Sequence, residues 1–131
     1  MTIVTGYTPD ATGLAAVDHA IGLARSTGET LVVVNTGVRG SDADASFAGA
    51  KDWDALDQRL AALGLAHEMH QPAHVESPAL EILATAERTG ATQIVIGVRR
   101  RSAVGKLFLG SVAQQVILEA TCPVVAVKQP T

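Results

Sequence analysis

Short apolar runs and longer stretches with apolar residues three or four apart take turns along this chain. Thr2 to Tyr7 holds Ile3 and Val4 and reads as a strand, broken by Thr8-Pro9-Asp10. Pro9 lacks an N–H donor and biases Thr8 away from helix. Asp10 or Thr12 then caps a helix with Leu14, Val17, Ile21 and Ala24 as its apolar face and Gly28 as its end. Leu31 to Val34 is a wholly apolar second strand, leaving through Asn35, Thr36 and Gly37. Arg39 to Gly49, small and polar, reads as a loop without chemistry of its own. Ala50 to Leu63 predicts a second helix, with Trp53, Leu56, Leu60 and Leu63 as its buried stripe and Gly64 as its stop. Ala66 to Gln71 is a weak, polar strand ending at Pro72, which suits a sheet edge. Ser77 as N-cap, Pro78 at the first helical position and Glu81 in the first turn agree on a third helix. Its apolar positions are Leu80, Leu83, Ala84 and Ala86, and Gly90 ends it. Thr92 to Gly97 is an apolar, β-branched run, hence a buried strand that Gly97 terminates. Val112 to Ala120 is the last helical pattern, with Ala113, Val116, Ile117 and Ala120 on one face. Pro123 to Val127 is the final strand.

Five strands alternating with four helices predict an α/β fold with a doubly wound parallel sheet. Each crossover is long enough for a right-handed connection. Composition agrees. Hydrophobic residues make up 47 % but aromatics only 3 %, so the core must be built from Val, Leu, Ile and Ala, as in a sheet covered by helices on both faces. A chain of 131 residues suits one domain, 1–131, burying roughly two-thirds of its unfolded surface. A net charge of −3 gives no general attraction to nucleic acid. One cysteine, Cys122, allows no intrachain disulfide and fits a reducing, cytoplasmic setting. No secretory signal is expected from the first residues, and no apolar run is long enough to span a membrane.

Candidate chemistry concentrates between Thr92 and Ser111. Gly97 closes an apolar strand, and Gly110-Ser111 opens a helix. A glycine-bounded loop between strand and helix is a place to hold an anion, because free backbone N–H groups and the positive helix end face it. Arg99, Arg100, Arg101 and Lys106 add positive charge to the same loop.

The spacing Gly97-x2-Arg100-x9-Gly110-Ser111, followed by Cys122-Pro123-Val124-Val125-Ala126-Val127, resembles the universal stress protein family. That family carries Gly-x2-Gly-x9-Gly-Ser/Thr between its fourth strand and fourth helix. The resemblance covers nearly the whole chain in length and element order. It implies a Rossmann-like, adenine nucleotide alpha hydrolase-like sheet of order 3-2-1-4-5. The switch point of that order lies between strands one and four, where open parallel sheets bind ligands. Tyr7, Thr8 and Pro9 follow strand one, and Gly97 onward follows strand four, so the implied topology and the glycine spacing point at one cleft.

By the same resemblance, Gly97, Gly110 and Ser111 line nucleotide phosphates, with Val112 beside them, and the backbone of Thr36 meets the adenine. The sequence departs from the family twice. Arg100 replaces the second glycine and is either a phosphate ligand or a solvated turn residue. Thr8 replaces the aspartate that reaches ribose hydroxyls or a metal in binding members. It can hydrogen-bond a hydroxyl but brings no charge, and Pro9 stands where the family often has glycine. Arg99 adds charge at the phosphate. The implied function is reversible binding of ATP or AMP, with Mg or Mn, in a regulatory or sensing role in the stress response. The alternative is a dimeric interaction module of the same fold, binding no nucleotide and acting through a protein partner. Slow ATP hydrolysis is a third reading, opposed by the missing strand-one aspartate. A homodimer is expected through the last strand, at Val124, Val125 and Val127, because the implied order leaves that apolar strand at an edge.

Other residues offer less. His67 and His70 are three apart and would point to opposite faces of a strand, and His74 is a loop residue. His19 reads as a surface residue and Cys122 as a buried, inert thiol. No catalytic constellation can be assembled with any specificity, and no enzyme activity is expected.

Overall fold

The computed structural model describes residues 1–37, 47–99 and 109–129. Its elements run β1 (Thr2–Gly6), α1 (Ala11–Thr27), β2 (Thr30–Val34), α2 (Ala50–Ala62), β3 (His67–His70), α3 (Pro78–Thr89), β4 (Ala91–Val98), α4 (Ser111–Glu119) and β5 (Val124–Lys128). The strands form one parallel sheet in the order β3-β2-β1-β4-β5. The implied 3-2-1-4-5 order is therefore the observed one.

Alternation along the strands sorts the core into two layers. Ile3, Leu31, Val33 and Val95 face α1 and α2, together with Val17, Ile21, Leu56 and Leu60. Val4, Val32, Ile94 and Ile96 face the other way, against α3 and α4, with Ile82 and Val116. Both faces are thus covered, and the central strands are apolar on both sides because neither side meets water.

Local signals set the helix ends. Asp10 caps α1 by accepting the Gly13 N–H at 2.8 Å, and Ser77 caps α3 by accepting the Leu80 N–H at 3.3 Å. Gly28 and Gly90 close these helices at φ 74° and 63°, a left-handed conformation that glycine takes without penalty.

The helix faces differ from the expected ones. Leu14, Leu63, Leu80 and Ile117 are exposed, as is Ala84, and Trp53 is only partly buried. The stripe that α1 buries is Thr12, Gly13, Ala16, Val17, Ala20, Ile21 and Ala24. Small residues at this stripe let the helix axis approach the sheet more closely than a row of leucines would. A Cβ on Gly97 would lie 2.4 Å from the Thr12 carbonyl oxygen, and one on Gly13 would lie 1.8 Å from the Thr8 carbonyl oxygen. On α3 the buried residues are Ala79, Ile82, Thr85 and Ala86, with Leu83 packed at the margin.

Gly97 also does not end its strand. β4 continues to Val98, and Gly97 pairs with Val127 of β5. Ala48, expected in an open loop, is fully buried, and its N–H donates to the Asn35 side chain at 3.1 Å. The rest of the Arg39–Gly49 expectation, over 39–46, lies outside the described residues, as do Arg100, Arg101 and Lys106. β3 is an edge strand as expected. His67 bonds to Asp57 on α2 and His70 to Glu81 on α3, on opposite faces of the sheet.

Candidate functional site

The order of strands reverses between β1, whose other neighbour is β2, and β4, which continues to β5. The helices that follow these two strands, α1 and α4, lie on opposite faces of the sheet, and a crevice opens between them. A cleft of about 580 Å³ lies there. Tyr7, Thr8, Thr36, Gly97, Arg99, Gly110 and Val112 all line it, so seven of the ten expected binding residues are brought together. Pro9 faces a smaller hollow between α1 and α2 instead, beside Leu14 and Arg59. Ser111 is exposed at the start of α4 and is not among the residues lining the cleft.

One part of the wall is apolar: Val34, Val75, Pro78, Ile82, Ile96 and Val98. The other carries Thr8, Asp10, Thr12, Arg99 and Gly110. An apolar wall with a few convergent polar groups is the usual make-up of a small-molecule site.

Each polar group has a position set by its neighbours. Asp10 is fixed as the α1 cap. Its Oδ1 accepts the Gly13 N–H and the Thr8 hydroxyl, each at 2.8 Å, and its Oδ2 accepts the Arg99 guanidinium at 2.8 Å. Burial acts to raise the Asp10 carboxyl, but the Gly13, Thr8 and Arg99 hydrogen bonds and the Arg99 charge outweigh it and hold it below the ordinary aspartate value. Arg99, exposed at 69 %, is therefore already paired across the cleft mouth. Tyr7 packs its ring against Trp53 with centroids 6.2 Å apart. Its N–H donates to the Val34 carbonyl at 2.8 Å and its carbonyl accepts from Asn35 Nδ2 at 3.0 Å. Burial, with Asp52 and Asp10 nearby, keeps the phenol above its usual value, hence neutral. Tyr7 shapes the cleft more than it bonds.

The starts of the two flanking helices differ. The positive end of α1 is capped by a carboxylate. At α4, Gly110 sits in extended backbone with φ −65°, and no side chain among the described residues caps the turn. The first N–H groups of α4 have no intrahelical acceptor, an arrangement that suits an anion.

The chain's own signals missed Asp10, Gly13, Val75, Glu76 and Ile82 as cleft residues. Asp10 was legible as a cap, but its second role needs Arg99, which is 89 positions away. Val75 and Glu76 precede α3 and reach the cleft only because the crossover from β3 to β4 passes over the switch point. Nothing in their local sequence marks them.

A comparison of the chain with known proteins gives a consistent result. The profile of the universal stress protein family matches residues 1–128. The chain belongs to the universal stress protein family. It is 40 % identical over 126 residues to a universal stress protein from Mycolicibacterium smegmatis, covering 96 % of each chain. Among solved structures, a universal stress protein from Archaeoglobus fulgidus superposes with a TM-score of 0.79 at 30 % identity over 98 % of both chains. A second structure, of the universal stress protein from Archaeoglobus fulgidus in complex with dAMP, gives 0.72 at 27 % identity with the same coverage. Membership of the universal stress protein family accounts for the strand order and the spacing of Gly97, Gly110 and Ser111.

Proposed function

We propose that this protein binds an adenine nucleotide, AMP or ATP, reversibly in the cleft between β1 and β4, in a regulatory or sensing role in the stress response. The observation that carries this reading is the gathering of Tyr7, Thr8, Thr36, Gly97, Arg99, Gly110 and Val112 around one cleft at the switch point. The dAMP complex of the archaeal relative supports it. In this reading the purine lies against Val34, Val75, Ile82 and Ile96, where burial of apolar area favours it, and Thr36 meets its edge through the backbone. The phosphate lies at the start of α4, beside the cleft-lining Gly110 and Val112, with Arg99 and Arg100 adding charge. Among the described residues no group of three His, Cys, Asp or Glu side chains is placed to hold a metal ion. Mg or Mn, in this reading, is carried by the nucleotide's phosphates.

The test is calorimetric titration with AMP and with ATP, each with and without Mg or Mn, on the wild type and on Gly110→Val. No described atom lies within 4 Å of a Cβ at position 110. The variant should stay folded while its side chain blocks the phosphate, so saturable wild-type binding that is lost in Gly110→Val is expected. Equal affinity in a well-folded variant would refute the phosphate site, and no heat with any nucleotide at millimolar concentration would refute the reading as a whole.

A second reading, a dimeric interaction module without a nucleotide, is favoured by the pairing of Arg99 and Thr8 with Asp10, in which these groups satisfy one another. Both readings share a homodimer through β5. That strand is last in the sheet, and its outer edge has no strand partner among the described residues. Val125 and Val127 pack into the core beneath α1, and Val124 packs on the opposite face. The contact therefore runs through the backbone edge rather than through the valine side chains, and a two-fold antiparallel pairing closes it at two chains.

A further inference from the structure

The second position after β1 holds an uncharged residue, Thr8, yet the cleft has a carboxylate two residues on. The geometry joins them. Thr8 Oγ1 donates its only proton to Asp10 Oδ1 at 2.8 Å. The same carboxylate accepts from Gly13 and from Arg99, so it is held as an ion and can only accept. Reversal of the Thr8 bond is therefore closed off. The hydroxyl proton is committed, and what Thr8 turns to a ligand is its remaining lone pairs. Donation to an ionised acceptor also polarises the hydroxyl and strengthens the bond it accepts in turn. Pro9 and the turn around it hold the pair in register, since the Asp10 N–H donates to the Thr8 carbonyl at 2.8 Å.

We infer that Asp10 is a positioning residue acting through Thr8: it makes Thr8 Oγ1 a pure hydrogen-bond acceptor, so that this end of the cleft takes a sugar hydroxyl of the ligand and turns away its phosphate. The inference rests on the nucleotide reading above and deepens it. A hydroxyl can donate to Thr8. A phosphate oxygen is an acceptor only and would meet Thr8 Oγ1 lone pair to lone pair. The ligand is thereby oriented, with its sugar hydroxyl at β1 and its phosphate at α4. The carboxylate's influence reaches the ligand at one remove, through a neutral residue, and Arg99 keeps that carboxylate ionised.

The experiment compares AMP with its 2′-deoxy and 3′-deoxy analogues by calorimetry, on the wild type, Thr8→Val, Thr8→Ser and Asp10→Asn. Loss of the relevant hydroxyl should weaken wild-type binding about tenfold, the scale of one hydrogen bond in a polarised network. Thr8→Val should bind AMP and that analogue alike, and Thr8→Ser should restore the difference. Asp10→Asn keeps a capping side chain, but its amide leaves the Thr8 proton free to turn. Its AMP-to-deoxy ratio should fall to about threefold or less, as expected for a neutral hydrogen bond. The ratio, unlike affinity or melting temperature, does not move when a variant is merely less stable. A full tenfold ratio in Asp10→Asn would overturn the role of Asp10, and a wild type indifferent to both deoxy analogues would overturn the acceptor role of Thr8. Absence of AMP binding altogether would instead remove the nucleotide reading, and this inference with it.

Discussion

Gly97 and Gly110 belong to one motif, and the structure gives them different work, which Gly97→Ala and Gly110→Ala should separate. A Cβ at position 97 would stand 2.4 Å from the Thr12 carbonyl oxygen and 2.7 Å from Thr12 Cγ2. Carbon and carbonyl oxygen rest about 3.3 Å or more apart even in favourable C–H···O contacts, so the first turn of α1 would have to retreat from β4 by roughly 0.9 Å. That turn cannot move freely. It is tied to β1 through the Asp10 cap and packed on the sheet by Ala16, Val17 and Ala20, while Gly97 is fixed in the β4–β5 ladder. Overpacking against backbone belongs at the upper end of the usual 1–3 kcal/mol, so a loss of about 2–3 kcal/mol is expected. For a chain of this length each kcal/mol is worth roughly 3–5 °C, which puts the fall in Tm at about 6–15 °C. Gly110 has φ −65°, and no described atom lies within 4 Å of the place a methyl group would take there. Gly110→Ala therefore trades a weaker cap against a less flexible unfolded chain and should stay within about 1 kcal/mol. Circular dichroism and the fluorescence of Trp53, the single tryptophan, would follow thermal and urea unfolding. A Gly97→Ala variant melting within about 2 °C of the wild type would refute the close approach of α1 to β4, since even 1 kcal/mol exceeds that shift.

Three further outcomes can be checked. Asn35 donates to the Tyr7 carbonyl at 3.0 Å and accepts from the Ala48 N–H at 3.1 Å and Gln71 Nε2 at 3.0 Å, so Asn35→Leu orphans buried groups at the ends of β1 and β3; urea unfolding should show a loss of about 2–4 kcal/mol, and a loss below about 1 kcal/mol would show that the network is not what holds these ends together. The Leu65 carbonyl raises the His67 pKa, with Asp57 adding to it against the effect of burial; a raised folded pKa means stabilisation complete below about pH 6.5 and lost as pH rises through the folded value, so Asp57→Asn should cost about 0.5–1 kcal/mol at pH 5.5 and almost nothing at pH 8.5, and a pH-independent cost would refute the pairing. At β5, the Pro123 carbonyl and the Gln129 N–H bond to β4, which turns the backbone groups of exposed Ala126 outward; Ala126→Pro should therefore sediment as a folded monomer beside a dimeric wild type, and a dimeric variant would place the interface elsewhere.

How far the sequence carried the fold follows from what kind of signal each element gave. The strands were legible because central parallel strands are apolar on both faces, and runs such as Leu31–Val34 and Ile94–Ile96 are short, rich in β-branched residues and buried. Helix ends were legible where a single residue type is required, as at Ser77, Gly28 and Gly90. The helix faces were not. Choosing large apolar residues put Leu14, Leu80 and Ile117 inside, yet they are exposed at 40 % or more, while Thr12, Gly13 and Thr85 are buried. Thr85 is admitted because its hydroxyl donates to the Glu81 carbonyl one turn back, and Thr12 because it donates to Gln129 at 3.1 Å. A polar residue that satisfies itself locally, or across 117 positions, carries no mark of burial in a one-dimensional pattern.

The same limit governed the candidate site. Gly97 lines the cleft where its spacing put it, and its missing Cβ also makes room for α1, a packing role that no glycine spacing records. Thr8 read as an uncharged substitute for an aspartate. A carboxylate stands two residues on in Asp10, hydrogen-bonded to the Thr8 hydroxyl and to Arg99 from the far side of the switch point. A motif records which backbone positions approach a ligand. Which side chains meet there depends on contacts between segments that come together only because β1 and β4 are neighbours in the sheet, and a one-dimensional motif does not record them.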